Sequence, residues 1–90
     1  MAVFVDTHCH LDAPEFGDEM PAIRARAAAR NVALCVIPAV AAANFARVRE
    51  LAHAQDDAYA LGIHPLCTGD ATDEHLTKLE AELAARRDDP

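Results

Sequence analysis

The sequence predicts an α/β fold of three consecutive βα units with parallel strands, and three observations carry that expectation. Short β-type runs alternate with longer segments of helical periodicity, three times over. The middle β-type run, Val32 to Ile37, is apolar throughout, the pattern of a strand covered on both faces in a parallel sheet. Each β-type run ends at an exit that cannot continue a ladder: Asp6-Thr7-His8, Pro38 and His64-Pro65.

The elements follow in order. Val3 to His8 is expected as the first strand, from its β-branched residues. Asp18 is expected to cap a helix running to about Arg30, with Glu19 and Pro21 in its first turn and Asn31 just past its end. Alanine dominates that helix and suits close packing on a sheet. After the second strand, Phe45, Val48, Leu51 and Ala52 recur at helical spacing within a helix from about Ala42 to Gln55, and Arg47, Arg49 and Glu50 face outward. Ala58 to Ile63 is the third strand. Thr72 caps the third helix, with Asp73 and Glu74 in its first turn and Arg86-Arg87 in its last. Leu76, Leu79 and Leu83 form its buried stripe, and Glu74 pairs with Lys78 four residues on.

Composition narrows the function. Ninety residues at 52% hydrophobic content fit one domain. The apolar run from Ala39 to Ala43 falls far short of the ~20 residues a membrane-spanning helix needs. The start of the chain lacks the basic and long apolar regions of a secretory signal, so a cytoplasmic location is expected. Three cysteines, Cys9, Cys35 and Cys67, are odd in number and lack C-x-x-C spacing, which supports free, inert thiols over disulfides or a structural zinc site. A net charge of -7 disfavours a nucleic-acid module that binds through a basic surface, so phosphate chemistry would need metal cations.

The chemistry concentrates where the first strand leaves the sheet, in Asp6-Thr7-His8-Cys9-His10-Leu11-Asp12. Strand side chains alternate faces, so an extended path puts Phe4, Asp6, His8 and His10 on one side. Two neutral imidazoles converging there supply half of an open catalytic metal site, which adds a carboxylate and a water. The bare His-x-His tripeptide also occurs on solvated loops. Its place at the carboxyl end of a strand in a parallel α/β fold favours the ligand reading. Asp6 has two open readings: fixing the tautomer of a ligand imidazole, or satisfying loop amides. Asp12 is expected to stabilise the turn into the first helix. In Gly62-Ile63-His64-Pro65, Ala60 and Gly62 share the face of His64 and leave room beside an imidazole able to hold a substrate oxygen. His53 and His75 lie within helices and take surface or packing roles.

Val5-Asp6-Thr7-His8-Cys9-His10-Leu11-Asp12, together with Ala60-Leu61-Gly62-Ile63-His64-Pro65, resembles the TatD family of metal-dependent deoxyribonucleases within the amidohydrolase superfamily. The resemblance runs the length of the chain. It implies a TIM (β/α)8 barrel hydrolysing phosphodiester bonds in DNA with a metal-activated water, at a centre of one or two divalent ions for which zinc, manganese or magnesium all qualify. It implies that His8 and His10 bind the first metal and that His64 is the catalytic residue beside the scissile phosphate. Many members have a second histidine where this chain has Leu66.

A whole barrel takes ~250 residues, so on this resemblance residues 1–90 are the truncated N-terminal portion of a single barrel domain, three of eight units. The family's glutamate ligand and further histidine and aspartate ligands would lie on later strands, and these 90 residues alone are expected to be inactive, with an uncovered inner sheet face and two open edges. The DNA or other phosphodiester substrate would bind through the metal centre. Two alternatives accompany this reading: another hydrolase of the superfamily acting on amides, lactones or phosphotriesters, and a non-catalytic α/β fragment that binds metal or a partner.

Overall fold

The computed structural model describes residues 2–14 and 16–89, without the side chains of residues 66, 67 and 70. Its elements are β1 (Phe4–Asp6), α1 (Met20–Ala29), β2 (Val32–Pro38), α2 (Phe45–Gln55), β3 (Ala58–Ala60) and α3 (Asp73–Ala85). One-turn or two-turn 3-10 segments at Gly17–Glu19, Ala42–Asn44 and Pro65–Asp70 lead into the three helices. The strands form one parallel sheet in the order β1-β2-β3. The expected βαβαβα order and parallel topology are therefore present.

The core forms on the helix side of the sheet. Cys35 and Ile37 of β2 pack with Phe45, Val48, Leu51 and Ala52 of α2, the face that helical spacing assigns. Leu34 and Val36, on the opposite face of β2, are only half-buried. β2 is thus buried on one face, at Cys35 and Ile37, rather than on two, because the described helices that pack on it contribute to one layer. β1 is exposed along its length, with Phe4 at 57%.

Several local features differ from expectation, each for a physical reason. The helical start falls at Met20 rather than Asp18, which lies within a 3-10 turn and makes no side-chain cap bond. Pro21 still occupies the first helical turn, where its missing N–H costs nothing. Asn31 and Asp56 end α1 and α2 in left-handed conformation, which these residue types tolerate. Thr72 caps α3 as predicted, accepting from the His75 N–H, while the His75 ring accepts the Thr72 N–H. The α3 stripe, however, is largely unpartnered: Leu76 is 55% and Leu83 50% exposed, and only Leu79 touches the core. Lys78 does not pair with Glu74. It reaches across to the Ala42 carbonyl and the Phe45 ring, and the i,i+4 ion pair of α3 is Glu82 with Arg86. Arg86 and Arg87 lie just past the last turn rather than in it.

Two polar assemblies hold the elements together, neither expected from the sequence. Arg24 of α1 forms a two-pronged ion pair with Asp57, at 2.7 and 2.8 Å, with side chains 7% and 0% exposed. Asp57 also accepts the Cys35 N–H, and Arg24 donates to the Val32 and Ala33 carbonyls. The Asp57 hydrogen bond pushes the Arg24 guanidinium still further towards the charged form. Alanine therefore does not dominate the packing of α1, whose fully buried residues are Met20 and Arg24.

The second assembly gathers Arg49, His53 and Tyr59 around Asp89. Arg49 thus turns towards Asp89 instead of facing open solvent. The Tyr59 hydroxyl, followed by Arg49 and His53, holds the Asp89 carboxyl down at about 2. A lowered folded-state value means that this anchor is intact above the ordinary carboxylate range and is lost as pH falls through about 2. Tyr59 is the single tyrosine and there is no tryptophan, so its emission reports this one contact. Acid titration should shift Tyr59 emission and the Asp89 carboxyl carbon resonance with a common midpoint of about 2. A midpoint at the ordinary value of about 4 would show Asp89 to be solvated.

Candidate metal centre

β1 ends at Asp6, and the chain bends at Thr7 and His8 before turning through Leu11 and Asp12. The strand is shorter than Val3 to His8, so the alternation of an extended strand does not by itself orient the histidines. The bend does so instead. The Asp6 carboxylate accepts the backbone N–H of His8 at 3.1 Å, fixing the first residue past the strand. This is the loop-amide role of the two open for Asp6. The Cys9 N–H donates to the Val36 carbonyl at 3.0 Å, and this docks the loop onto β2. His8 and His10 then flank Cys9 and converge.

Their Nε2 atoms lie 3.2 Å apart, with ring planes at 86° and centroids 4.9 Å apart. Two nitrogen ligands of one tetrahedral zinc, each bonded at about 2.0–2.1 Å, stand about 3.3 Å from one another. The spacing and the donor type therefore fit a shared divalent cation. Among the described residues, no group of three or more His, Cys, Asp or Glu side chains gathers as a metal site, and the two imidazole nitrogens are the atoms that converge.

His64 is the third imidazole at the same end of the sheet. Its backbone N–H donates to the Val40 carbonyl at 2.7 Å, and Ala39 N–H donates to Ala60 O, so the chain keeps its alignment beside β2 after β3 has formally ended. The His64 ring stands 6.4 Å from that of His10, centroid to centroid, adjacent to the pair. A groove of about 210 Å³ runs between His8 and His64, lined also by Pro38, Ala39, Ala60 and Gly62. A Cβ at Gly62 would meet nothing within 4 Å, consistent with the small residues leaving open space on the histidine face.

Cys9 sits between the two histidines, but burial pushes its thiol up to about 12, so it stays protonated. Burial likewise raises Cys35. The expectations for Cys67 and Leu66 concern side chains outside the described residues. His53 and His75 hold other contacts, on Asp89 and on the α3 cap.

Asp12 departs from its expected role. Its carboxylate does not brace the local turn but accepts from the Asn44 side-chain amide, across from the loop after β2. Asn44 was not legible as a site residue, because no spacing in the sequence couples it to Asp12.

The family of the chain follows from comparison on top of this geometry. Residues 5–89 match the family described as TatD related DNase. The chain belongs to that family. It is 42% identical over 84 residues to YjjV of Escherichia coli (strain K12), named an uncharacterized metal-dependent hydrolase, covering 92% of this chain and 32% of YjjV. YcfH of the same organism, named in the same way, is 35% identical over 83 residues, covering 87% of this chain and 31% of YcfH. The crystal structure of the TatD homologue YjjV superposes with a TM-score of 0.86 over 92% of this chain and 32% of that one. The chain thus spans about a third of the length of these relatives, and its three parallel strands and helices match the N-terminal part of the TatD barrel. No described helix is long and apolar enough to cross a membrane.

Proposed function

We infer that this TatD-family chain carries the first-metal half of a metal-dependent phosphodiesterase that cleaves DNA. The observation that carries the reading is the 3.2 Å approach of the His8 and His10 Nε2 atoms at the carboxyl end of β1. In this reading residues 1–90 are the N-terminal portion of one barrel domain, and later strands complete the ligand set. The family match and two relatives named as metal-dependent hydrolases support it.

His8 and His10 would hold a divalent ion, with zinc, manganese and magnesium all compatible with the chemistry. When bound there, such an ion supplies charge neutralisation at a phosphodiester and activation of water for hydrolysis. The chain's own residues do the rest. Asp6 fixes the backbone of His8, so the imidazole is aimed before any ligand arrives. His64, across the groove, is assigned as a donor to a non-bridging phosphate oxygen, where its hydrogen bond would strengthen as charge develops. Gly62 and Ala60 admit the sugar-phosphate backbone between the imidazoles. With a net charge of -7, the chain favours DNA binding through a bound cation over a basic surface. The reading places the reaction in the cytoplasm, where Cys9 and Cys35 would persist as thiols.

The test is cleavage of single-stranded DNA by the gene product that carries these residues, loaded in turn with zinc, manganese and magnesium. Cleavage is expected with at least one of them, lost on chelation and lost in a His10→Ala variant. If no phosphodiester is cut while an amide, lactone or phosphotriester is hydrolysed, the protein belongs functionally with another branch of the amidohydrolase superfamily. A product that binds metal but hydrolyses none of these would favour the non-catalytic alternative.

A further inference from the structure

We propose that Asn44 is a positioning residue for the histidine site, tying the loops after β1, β2 and β3 into one unit through a single side-chain amide. The proposal rests on the metal-site reading for one of its two readouts and stands independently on the other. Asn44 closes the 3-10 turn Ala42–Asn44 and immediately precedes α2, whose Phe45 and Val48 are buried in the core, so its backbone is anchored. Its Oδ1 accepts the N–H groups of both Val40 and Ala41, each at 3.1 Å, and so fixes the loop that follows β2. Its Nδ2 donates to Asp12, two residues beyond His10 in a turn closed by Ala13 N–H on the His10 carbonyl. The far side of Val40 completes the link, because its carbonyl accepts the His64 backbone N–H.

One amide therefore connects the His10 turn directly and the His64 segment through one residue. The task requires two acceptor contacts and one donor contact from the same short side chain, which suits an amide. Alanine at this position leaves two loop N–H groups and the Asp12 carboxylate without it. Asp12 is already poor in partners, since its Oδ1 is buried and makes no hydrogen bond among the described residues. A carboxylate at position 44 would keep the acceptor contacts but oppose Asp12 with like charge. Asn44 itself does not line the groove between His8 and His64, so it acts through the loops.

The experiment uses the gene product that carries these residues and three variants: Asn44→Ala, Asn44→Asp, and the exchange Asp12→Asn with Asn44→Asp. Zinc affinity and hydrogen exchange of the His64 amide are measured in each, with urea unfolding as the check on global stability. Asn44→Ala is expected to weaken zinc binding by about 10-fold or more, the loss typical when a group that orients ligands is removed. His64 exchange should accelerate while the protein remains cooperatively folded. Asn44→Asp should lose the same properties, and it serves in place of the alanine variant should that one not fold. The exchange restores a donor at position 12 and acceptors at position 44, so both readouts should recover. The proposal is overturned if His64 exchange and zinc affinity are unchanged in both single variants, or if the exchange recovers neither. Should the unaltered gene product bind none of zinc, manganese and magnesium through His8 and His10, the metal-site reading fails, and His64 exchange with its recovery alone decides the proposal.

Discussion

Replacing His8 and His10 together with alanine is expected to abolish zinc binding at the mouth of the sheet, lowering affinity by more than about 100-fold. The figure is a lower bound, because removing groups that merely orient ligands already costs 10–100-fold. In the proposed site the two nitrogens at 3.2 Å would chelate one ion, so loss of one ring would also remove the geometric benefit of the other. Isothermal titration of the gene product that carries these residues, before and after substitution, gives the answer. His53→Ala provides the internal comparison: its ring is engaged with Asp89, and its removal should leave zinc affinity unchanged. Equal affinity in the His8→Ala, His10→Ala variant would mean that the ion binds elsewhere and that the convergence of the rings has no ligand role.

Arg24→Ala is expected to destabilise the fold by about 3–5 kcal/mol, the loss that follows when one member of a buried ion pair is removed. Asp57 would remain inside without its ion-pair partner, held among the described residues by the Cys35 N–H. Against a total stability of about 5–15 kcal/mol for a domain, that removes a large fraction of the folding margin. Removing both charges is gentler, since no unpaired ion remains. Arg24→Met combined with Asp57→Leu should therefore lie closer to the parent chain in urea midpoint than Arg24→Ala does. A cost under about 1 kcal/mol for Arg24→Ala, the value of a solvated pair, would show that water reaches this contact.

Arg24 marks the limit of what local pattern encodes. Met20, Ile23, Arg24 and Ala27 fall at i, i+3, i+4 and i+7, the spacing of a buried helix stripe. An arginine at a core position of that stripe calls for a buried acid. Its partner was harder to find, because Asp56 and Asp57 are adjacent and look alike. One adopts the left-handed conformation that ends α2 and is exposed; the other turns inward. That choice depends on how α2 hands the chain to β3.

The periodicities of α2 and the apolar run of β2 predicted their buried faces because core packing rewards the same residues that set the period. Exposed Leu76 and Leu83 did not follow this rule. A stripe records the side a helix prefers to bury, and burial requires a surface placed opposite it, which the described part of the fold does not give α3.

By itself the sequence determined the order of strands and helices, the family motifs, and the candidacy of His8, His10 and His64. These reside in local pattern: period, caps, breakers and residue type within a few positions. Tertiary structure alone decided that the two imidazole nitrogens approach within bonding range of one ion, that Asp12 turns to Asn44, and that Arg24 meets Asp57. Those contacts join residues up to 33 positions apart, and their geometry is set by the crossover of helices onto a parallel sheet, which no local spacing encodes.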